Sequence, residues 1–158
     1  MINVLFVCLG NICRSPMAEA IFKHLVAEEK LNNHFVVDSV GTAGYHTGDQ
    51  AHRGTRRVLA QRGIACESIS RQITRADLDK FNYIIAMDRE NLSDLRYMAQ
   101  AQGVGMNGHI HLLLEFADNT STRDVPDPYY SGSFEETYRL VEAGCKGLLA
   151  HIRRQEEF

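Results

Sequence analysis

The sequence has 158 residues, of which 44% are hydrophobic and 23% are charged, and its formal net charge is −3. This length suits one domain with a full hydrophobic core, so we expect a single domain over residues 1–158. The small negative charge excludes a general electrostatic attraction to nucleic acid or to anionic membranes. The sequence has neither an apolar run long enough to cross a bilayer nor a signal-peptide pattern, so we expect a cytoplasmic protein without membrane insertion.

The first predicted element is a strand that runs directly into a polar loop and a helix. Residues 2–7 form a nearly continuous apolar run, which is typical of a strand buried on both faces. Apolar residues then recur at helical spacing from Met17 to Leu25. Ser15 and Pro16 predict the start of this helix, with Ser15 at or near the N-cap and Pro16 at the first helical position.

The rest of the chain alternates strand and helix in the same way. We expect strands at residues 35–40, 83–87 and about 109–113, and helices at about 49–62, from a cap at Asp88 through Ala99, and at 134–152. This alternation predicts a three-layer α/β sandwich, in which a four-stranded parallel sheet carries helices on both faces. Ligands of such sheets bind beyond the carboxyl ends of the strands, and Cys8 lies at the end of the first strand.

The loop after the first strand has the sequence CLGNICR over residues 8–14, which is suited to binding an oxyanion. Its successive N–H groups can converge on one anion, because Gly10 and Asn11 tolerate the positive φ angles that curl a loop. The start of the following helix adds partial positive charge, and Arg14 offers a planar fork for two phosphoryl oxygens. The same charges favour the thiolate form of Cys8, and Ser15 is close enough in sequence to donate a hydrogen bond to it. The loop therefore predicts a site that binds phosphate and attacks it.

A thiolate that attacks a phosphate monoester needs an acid to protonate the leaving oxygen. Asp127 is the best candidate, because the prolines on both sides restrict its backbone. The same carboxylate can then activate water against the cysteinyl-phosphate. By position alone, Asp118 and Asp124 are also candidates for the acid. The alternative interpretation of Asp127 is an aspartate in a turn beside proline, without a catalytic role. Tyr129 and Tyr130 either form a wall for an aromatic ring or belong to a surface turn.

The four cysteines, at positions 8, 13, 66 and 145, do not have the pattern of a secreted disulfide framework. Cys66 and Cys145 lie in apolar sequence and are expected in the core. Cys13 either forms a reversible disulfide that shields Cys8 from over-oxidation or packs beneath the loop. A zinc site on Cys8 and Cys13 is not expected, because no second pair of ligands follows at the required spacing.

Residues 8–19 (CLGNICRSPMAE) and 127–130 (DPYY) closely resemble the low-molecular-weight protein tyrosine phosphatases, and the likeness extends over essentially the whole chain. The resemblance implies the flavodoxin-like fold of the phosphotyrosine phosphatase I type and no metal or organic cofactor. It also implies hydrolysis of protein phosphotyrosine and small aryl phosphates through a cysteinyl-phosphate. In these roles Cys8 is the nucleophile, Arg14 binds phosphate and the transition state, and Asp127 is the general acid.

The resemblance further implies a set of residues that form or brace the substrate site. Within it, Asn11 braces the loop and Ser15 stabilises the thiolate. The expected partners are tyrosine-phosphorylated proteins, with phosphate or a similar oxyanion in the loop, and a weak homo-oligomer stays open. The full set is Leu9, Gly10, Asn11, Ile12, Cys13, Ser15, Tyr45, Tyr129 and Tyr130.

Three other functions stay open on the same fold. Arsenate reductases use extra cysteines after the third strand, and this chain has none in that strand or in the helix after it. Protein arginine phosphatases carry threonine where this chain has Ile12, whose apolar side chain favours an aromatic substrate. The third is a weakly active phosphate-binding module, which needs only the loop and not an aspartate held between two prolines, as Asp127 is. The chain also departs from many relatives by having Ser68 in place of a histidine, and Ala51-His52-Arg53 in place of Asp-Pro-Arg.

Overall fold

The computed structural model describes residues 1–103, 109–118 and 120–158, and a parallel four-stranded sheet lies at its centre. The strand order is β2-β1-β3-β4, and every neighbouring pair is parallel. This confirms the predicted α/β architecture. The strands are β1 Ile2–Cys8, β2 Phe35–Gly41, β3 Tyr83–Ala86 and β4 Ile110–Leu112.

Helices connect the strands and cover both faces of the sheet. In the described ranges they are α1 Arg14–Glu28, α2 Arg53–Ala60, α3 Arg75–Lys80, α4 Arg89–Ala101, α5 Pro128–Ser131 and α6 Phe134–Glu156, with 3-10 turns at Asn32–His34 and Leu113–Glu115. Among these described helices, none combines the length and the apolar character needed to pass through a bilayer.

The side chains of β1 alternate between two hydrophobic clusters, as a strand buried on both faces requires. Phe6 points into the cluster that α1, α2 and α6 cover, where it packs edge-on against Phe22 of α1. Leu5 points into the opposite cluster, where α4 supplies Leu95. β1 is therefore held rigidly from both sides, and so is the position of Cys8 at its end.

The starts of two helices differ from the predictions. The N-cap of α1 is Cys13 rather than Ser15, because the Ser15 hydroxyl is bonded to the Cys8 sulfur instead, and Pro16 is the third helical residue. α2 begins at Arg53 rather than near residue 49, because the His52 ring accepts a hydrogen bond from the Gly54 N–H and caps the helix there. The short helices α3 and α5 were not predicted.

The strand order places a crevice at the carboxyl ends of β1 and β3. The chain leaves β1 to form β2 on one side, and then crosses to form β3 on the other side of β1. The loops after β1 and β3 therefore diverge, which is where ligands bind in open α/β sheets. Cys8 ends β1 at this crevice, and Asp88 follows β3 beside it.

Candidate active site

The loop of residues 9–13 has unpaired main-chain N–H groups, whereas four of its five carbonyl oxygens accept hydrogen bonds. In the described parts of the chain these five N–H groups donate to no protein acceptor. Buried main-chain donors without partners are rare, so the loop has the character of an anion site. The carbonyl bonds are Ala43 N to Leu9 O (3.0 Å), Ser70 Oγ to Gly10 O (3.0 Å), His52 N to Ile12 O (2.7 Å) and Thr55 Oγ1 to Cys13 O (3.0 Å).

Asn11 alone in this loop takes a positive φ, of 57°. Gly10, which is also able to adopt a positive φ, does not do so. A Cβ on Gly10 would lie 3.0 Å from Cδ2 of the His46 ring, so a larger residue here would require that ring to move by a few tenths of an ångström. His46 thus lies against the loop, a contact that the sequence analysis did not foresee.

The buried Asn11 side chain ties the loop to the nucleophile. Its Nδ2 donates to Ser15 Oγ at 2.7 Å and to Ser39 Oγ at 3.0 Å, while its Oδ1 accepts the Arg71 N–H at 3.0 Å. Ser15 Oγ lies 3.1 Å from Cys8 Sγ. Because Asn11 already donates to Ser15 Oγ, the serine's own O–H is free to point at the Cys8 sulfur or at the Val40 carbonyl oxygen.

The two residues bonded to the Asn11 side chain, Ser39 and Arg71, are each held by a charged group. Ser39 Oγ donates to Glu19 Oε1 at 2.6 Å, and Lys23 Nζ is 2.6 Å from the other oxygen of that carboxylate. On the other side, the Arg71 guanidinium binds the Asp77 and Asp38 carboxylates at 2.8–2.9 Å. The Asn11 side chain is therefore held by three hydrogen bonds, none of which involves Ser68.

Arg14 is buried at the edge of the loop with its charge balanced by carboxylates. Nη1 donates to Asp88 Oδ2 at 2.6 Å and to the Val125 carbonyl at 3.0 Å, and Nη2 lies 3.4 Å from Asp127 Oδ2. Burial works against the charge of this guanidinium, but the Cys8 sulfur and the two carboxylates raise the pKa of Arg14 above its ordinary value. Its Nε is buried without a protein partner among the described residues, so one donor remains for a ligand.

Asp127 is held in place by its own backbone and by the strand beside it. Its Oδ1 accepts the Tyr129 N–H at 3.0 Å and caps α5, which begins at Pro128. The preceding segment is fixed because the Val125 N–H donates to the Met87 carbonyl at 2.9 Å, directly after β3. The carboxylate is therefore aimed at Arg14 and the cysteine loop.

A cavity of about 210 Å³ joins these groups. Cys8 lies at its base, Arg14 and Asp127 lie in its wall, and exposed tyrosine rings form its mouth. His46 is an additional wall residue, whereas Asn11 and Ser15 lie behind the loop rather than in the cavity. The sequence-predicted residues in the wall are Cys8, Leu9, Gly10, Ile12, Cys13, Arg14, Tyr45, Asp127, Tyr129 and Tyr130.

The other thiols lack the environment of Cys8. Burial, with contributions from Asp127 and Cys8, raises the pKa of Cys13 to about 12, so this thiol is protonated at neutral pH. Burial also raises the pKa of Cys66 and of Cys145. All four cysteines are free, so a Cys8–Cys13 disulfide stays a prediction. Within the described ranges, no group of three or more metal-ligating side chains comes together.

The fold and the site together define a cysteine-based hydrolase of phosphate esters. Comparison with known proteins gives the family. A model described as low molecular weight phosphotyrosine protein phosphatase matches residues 3–157. The chain belongs to this family.

Individual relatives agree over their full lengths. The low molecular weight protein-tyrosine-phosphatase YfkJ of Bacillus subtilis is 49% identical over 158 residues, which are 99% of each chain. Its crystal structure superposes with a TM-score of 0.93, covering 98% of this chain and 96% of the other. A protein tyrosine phosphatase from Entamoeba histolytica, solved with Hepes in the active site, is 37% identical over 99% of both chains, with a TM-score of 0.89. A Drosophila arginine phosphatase is 34% identical over 95% of this chain and 97% of that one, with a TM-score of 0.85.

Proposed function

We propose that this protein hydrolyses phosphotyrosine in proteins, and small aryl phosphates, through a cysteinyl-phosphate on Cys8. The observation that carries the proposal is the arrangement at the end of β1. The Cys8 thiol is followed by a loop with five unpaired main-chain N–H groups, and Cys8, Arg14 and Asp127 line one cavity with that loop. Such a loop holds the three non-bridging oxygens of a phosphoryl group and presents its phosphorus to the sulfur.

In the first step, the Cys8 thiolate attacks phosphorus and the bond from phosphorus to the phenolic oxygen breaks. Asp127, in its protonated form, gives its proton to that oxygen as it leaves. The loop N–H groups and Arg14 bind the phosphoryl oxygens while they become equatorial. The free Nε of Arg14 supplies a donor that is not committed to Asp88 or Val125.

In the second step, the Asp127 carboxylate takes a proton from water, and the water oxygen attacks phosphorus. The bond from sulfur to phosphorus breaks, inorganic phosphate is released and the thiolate is regenerated. Ser15, 3.1 Å from the sulfur, stabilises this leaving thiolate by hydrogen bonding. Because Asp127 ends this step protonated, it is ready for the next substrate.

The cavity mouth supports an aromatic substrate. Ile12 offers an apolar surface within the cavity, and Tyr45, Tyr129 and Tyr130 are 76%, 53% and 77% exposed around the opening. Aromatic rings of this kind stack with or edge against a phosphotyrosine ring. We therefore propose tyrosine-phosphorylated proteins as substrates. We also place the protein in the cytoplasm, because a nucleophilic thiol persists best in a reducing compartment.

The proposal is tested by comparing the turnover of a phosphotyrosine peptide, phosphoarginine and arsenate by the purified protein. We expect phosphotyrosine to have the highest kcat/KM and the Cys8→Ser variant to lose turnover while it still binds phosphate. The second candidate is phosphoarginine, which the similarity to the Drosophila arginine phosphatase favours. A higher kcat/KM for phosphoarginine would replace our substrate assignment, and full activity of Cys8→Ser would exclude the covalent mechanism.

A further inference from the structure

A second, smaller cavity lies beside the catalytic one and has an acidic wall. Its volume is about 200 Å³, and it shares Leu9, Arg14, Asp127 and Tyr130 with the catalytic cavity. Its remaining wall comes from the first turns of α4 and from Asp88, which caps that helix. A group attached to a substrate in the catalytic cavity is therefore close enough to enter this one.

Two carboxylates of this wall are not used by the protein. Asp88 and Asp127 are ion-paired with Arg14, but Glu90 and Asp94 are exposed and have no ion-pair partner in the described ranges. They are spaced i,i+4 on one face of α4, an arrangement of like charges that destabilises a helix. Glu90, in the first turn, interacts favourably with the helix N-terminus, whereas Asp94 lies beyond that turn and repels Glu90.

Arg89, the residue before Glu90, does not neutralise the pair. Arg89 is instead paired with Asp124: its Nη2 donates to Asp124 Oδ2 at 2.9 Å, and its main-chain N–H donates to Asp124 Oδ1 at 2.8 Å. A formal charge of −2 therefore remains on Glu90 and Asp94 next to the mouth of the catalytic cavity.

Asn91 supplies an independent sign of a missing hydrogen-bond donor. It is only 2% exposed, it lines the same cavity as the two acidic residues, and its Oδ1 has no hydrogen-bond partner among the described residues. Buried acceptors are normally satisfied, so this oxygen has unused capacity to accept a hydrogen bond from a donor outside the described residues. A carboxamide oxygen and two carboxylates are all acceptors, and the group that fits them carries donors and positive charge.

We propose that this cavity binds the ammonium or guanidinium group of a lysine or arginine next to the phosphotyrosine of a substrate. This inference rests on the proposed function and adds a substrate preference to it. A metal ion is not the expected occupant, because the described residues bring together no group of three or more metal-ligating side chains. A long basic side chain is favoured because its stem can lie on Leu9 and Tyr130, the apolar surfaces shared by both cavities.

The test uses phosphotyrosine peptides that are identical except for lysine, glutamine or glutamate at one position next to the phosphotyrosine, on either side. For the unmodified protein at low salt, we expect kcat/KM to be about three- to tenfold higher for lysine than for glutamine at the better position, and lowest for glutamate. The double variant Glu90→Gln/Asp94→Asn should make the three peptides equal. Its kcat/KM for p-nitrophenyl phosphate, which carries no basic group, should stay unchanged.

A matched control separates a local effect from net charge. Asp79→Asn/Glu156→Gln also removes two exposed carboxylates, from α3 and the end of α6, and should keep the lysine preference. Equal kcat/KM for the lysine and glutamine peptides in the unmodified protein overturns the cavity's assignment, as does a preference that survives Glu90→Gln/Asp94→Asn. In both of those outcomes peptide hydrolysis itself persists. If the unmodified protein hydrolyses neither the peptides nor p-nitrophenyl phosphate, the proposed function is overturned, and this inference with it.

Discussion

Replacing Asn11 by alanine and by glycine separates the two contributions of this residue to the active site. Both variants lose the hydrogen bonds from Nδ2 to Ser15 and Ser39 and the bond from the Arg71 N–H to Oδ1. At about 1 kcal/mol for each of three bonds, the loss is about 3 kcal/mol. Alanine also has to adopt the left-handed φ of 57°, which costs roughly a further 1–2 kcal/mol and which glycine tolerates.

The two losses should appear in catalysis because they act on the loop that holds phosphate. With about 1.4 kcal/mol for each factor of ten, Asn11→Gly is expected to lower kcat/KM by roughly 100-fold or somewhat more. Asn11→Ala should lower it by a further factor of about 5–30. The measurements are kcat/KM for p-nitrophenyl phosphate and the inhibition constant of inorganic phosphate, with circular dichroism to verify folding. A folded Asn11→Gly variant within threefold of the unmodified protein would refute this account of the loop, and equal values for Ala and Gly would refute the backbone contribution.

Three further predictions concern the acid, the thiols and the support of the loop. Asp127→Asn should slow aryl phosphates with poor leaving groups much more than those with good ones, since it removes the proton donor; equal slowing across the series would exclude Asp127 as the acid. Iodoacetate at pH 7 should label Cys8 and leave Cys13 unlabelled, because burial raises the pKa of Cys13 to about 12; peptide mass spectrometry would show the reverse if this is wrong. Burial alone would raise the pKa of Asp77, but hydrogen bonds from Arg71 and Thr74 outweigh it and lower that pKa. Its contribution to stability is therefore present above the ordinary carboxyl range and is lost as pH falls through the lowered value. Chemical denaturation should then show Asp77→Asn to be less stable at pH 7, with the difference shrinking below about pH 4.

The part of the site that is contiguous in sequence could be predicted because local patterns determine it. An apolar run, a loop with an αL-compatible asparagine and a helix start place Cys8, Asn11 and Arg14 within one strand-loop-helix unit. Asp127 was recognisable because its flanking prolines are local too. The predicted N-cap of α1 was wrong because the Ser15 hydroxyl bonds to the Cys8 sulfur. That bond belongs to the active site rather than to the helix.

The remaining site residues depend on contacts that only the tertiary structure creates. Asp88 was visible as a helix cap, but its 2.6 Å bond to Arg14 requires β1 and β3 to be neighbours. His46 reaches the cavity because its loop folds over Gly10, and nothing in its sequence surroundings marks it. α2 begins late because His52, which is not a preferred N-cap residue, supplies a ring nitrogen as acceptor. α3 did carry a local signal, the Thr74–Asp77 capping box, which the sequence analysis overlooked.

The most direct test of the mechanism is to trap the phosphoryl group on the enzyme. Excess p-nitrophenyl phosphate is mixed with the protein, the reaction is quenched in acid within the first turnover, and the peptides are mapped by mass spectrometry. We predict one phosphoryl group on the peptide that contains Cys8, a matching burst of p-nitrophenol, and neither signal in Cys8→Ser. Steady turnover with no phosphorylated peptide, or a phosphoryl group on another residue, would contradict the account.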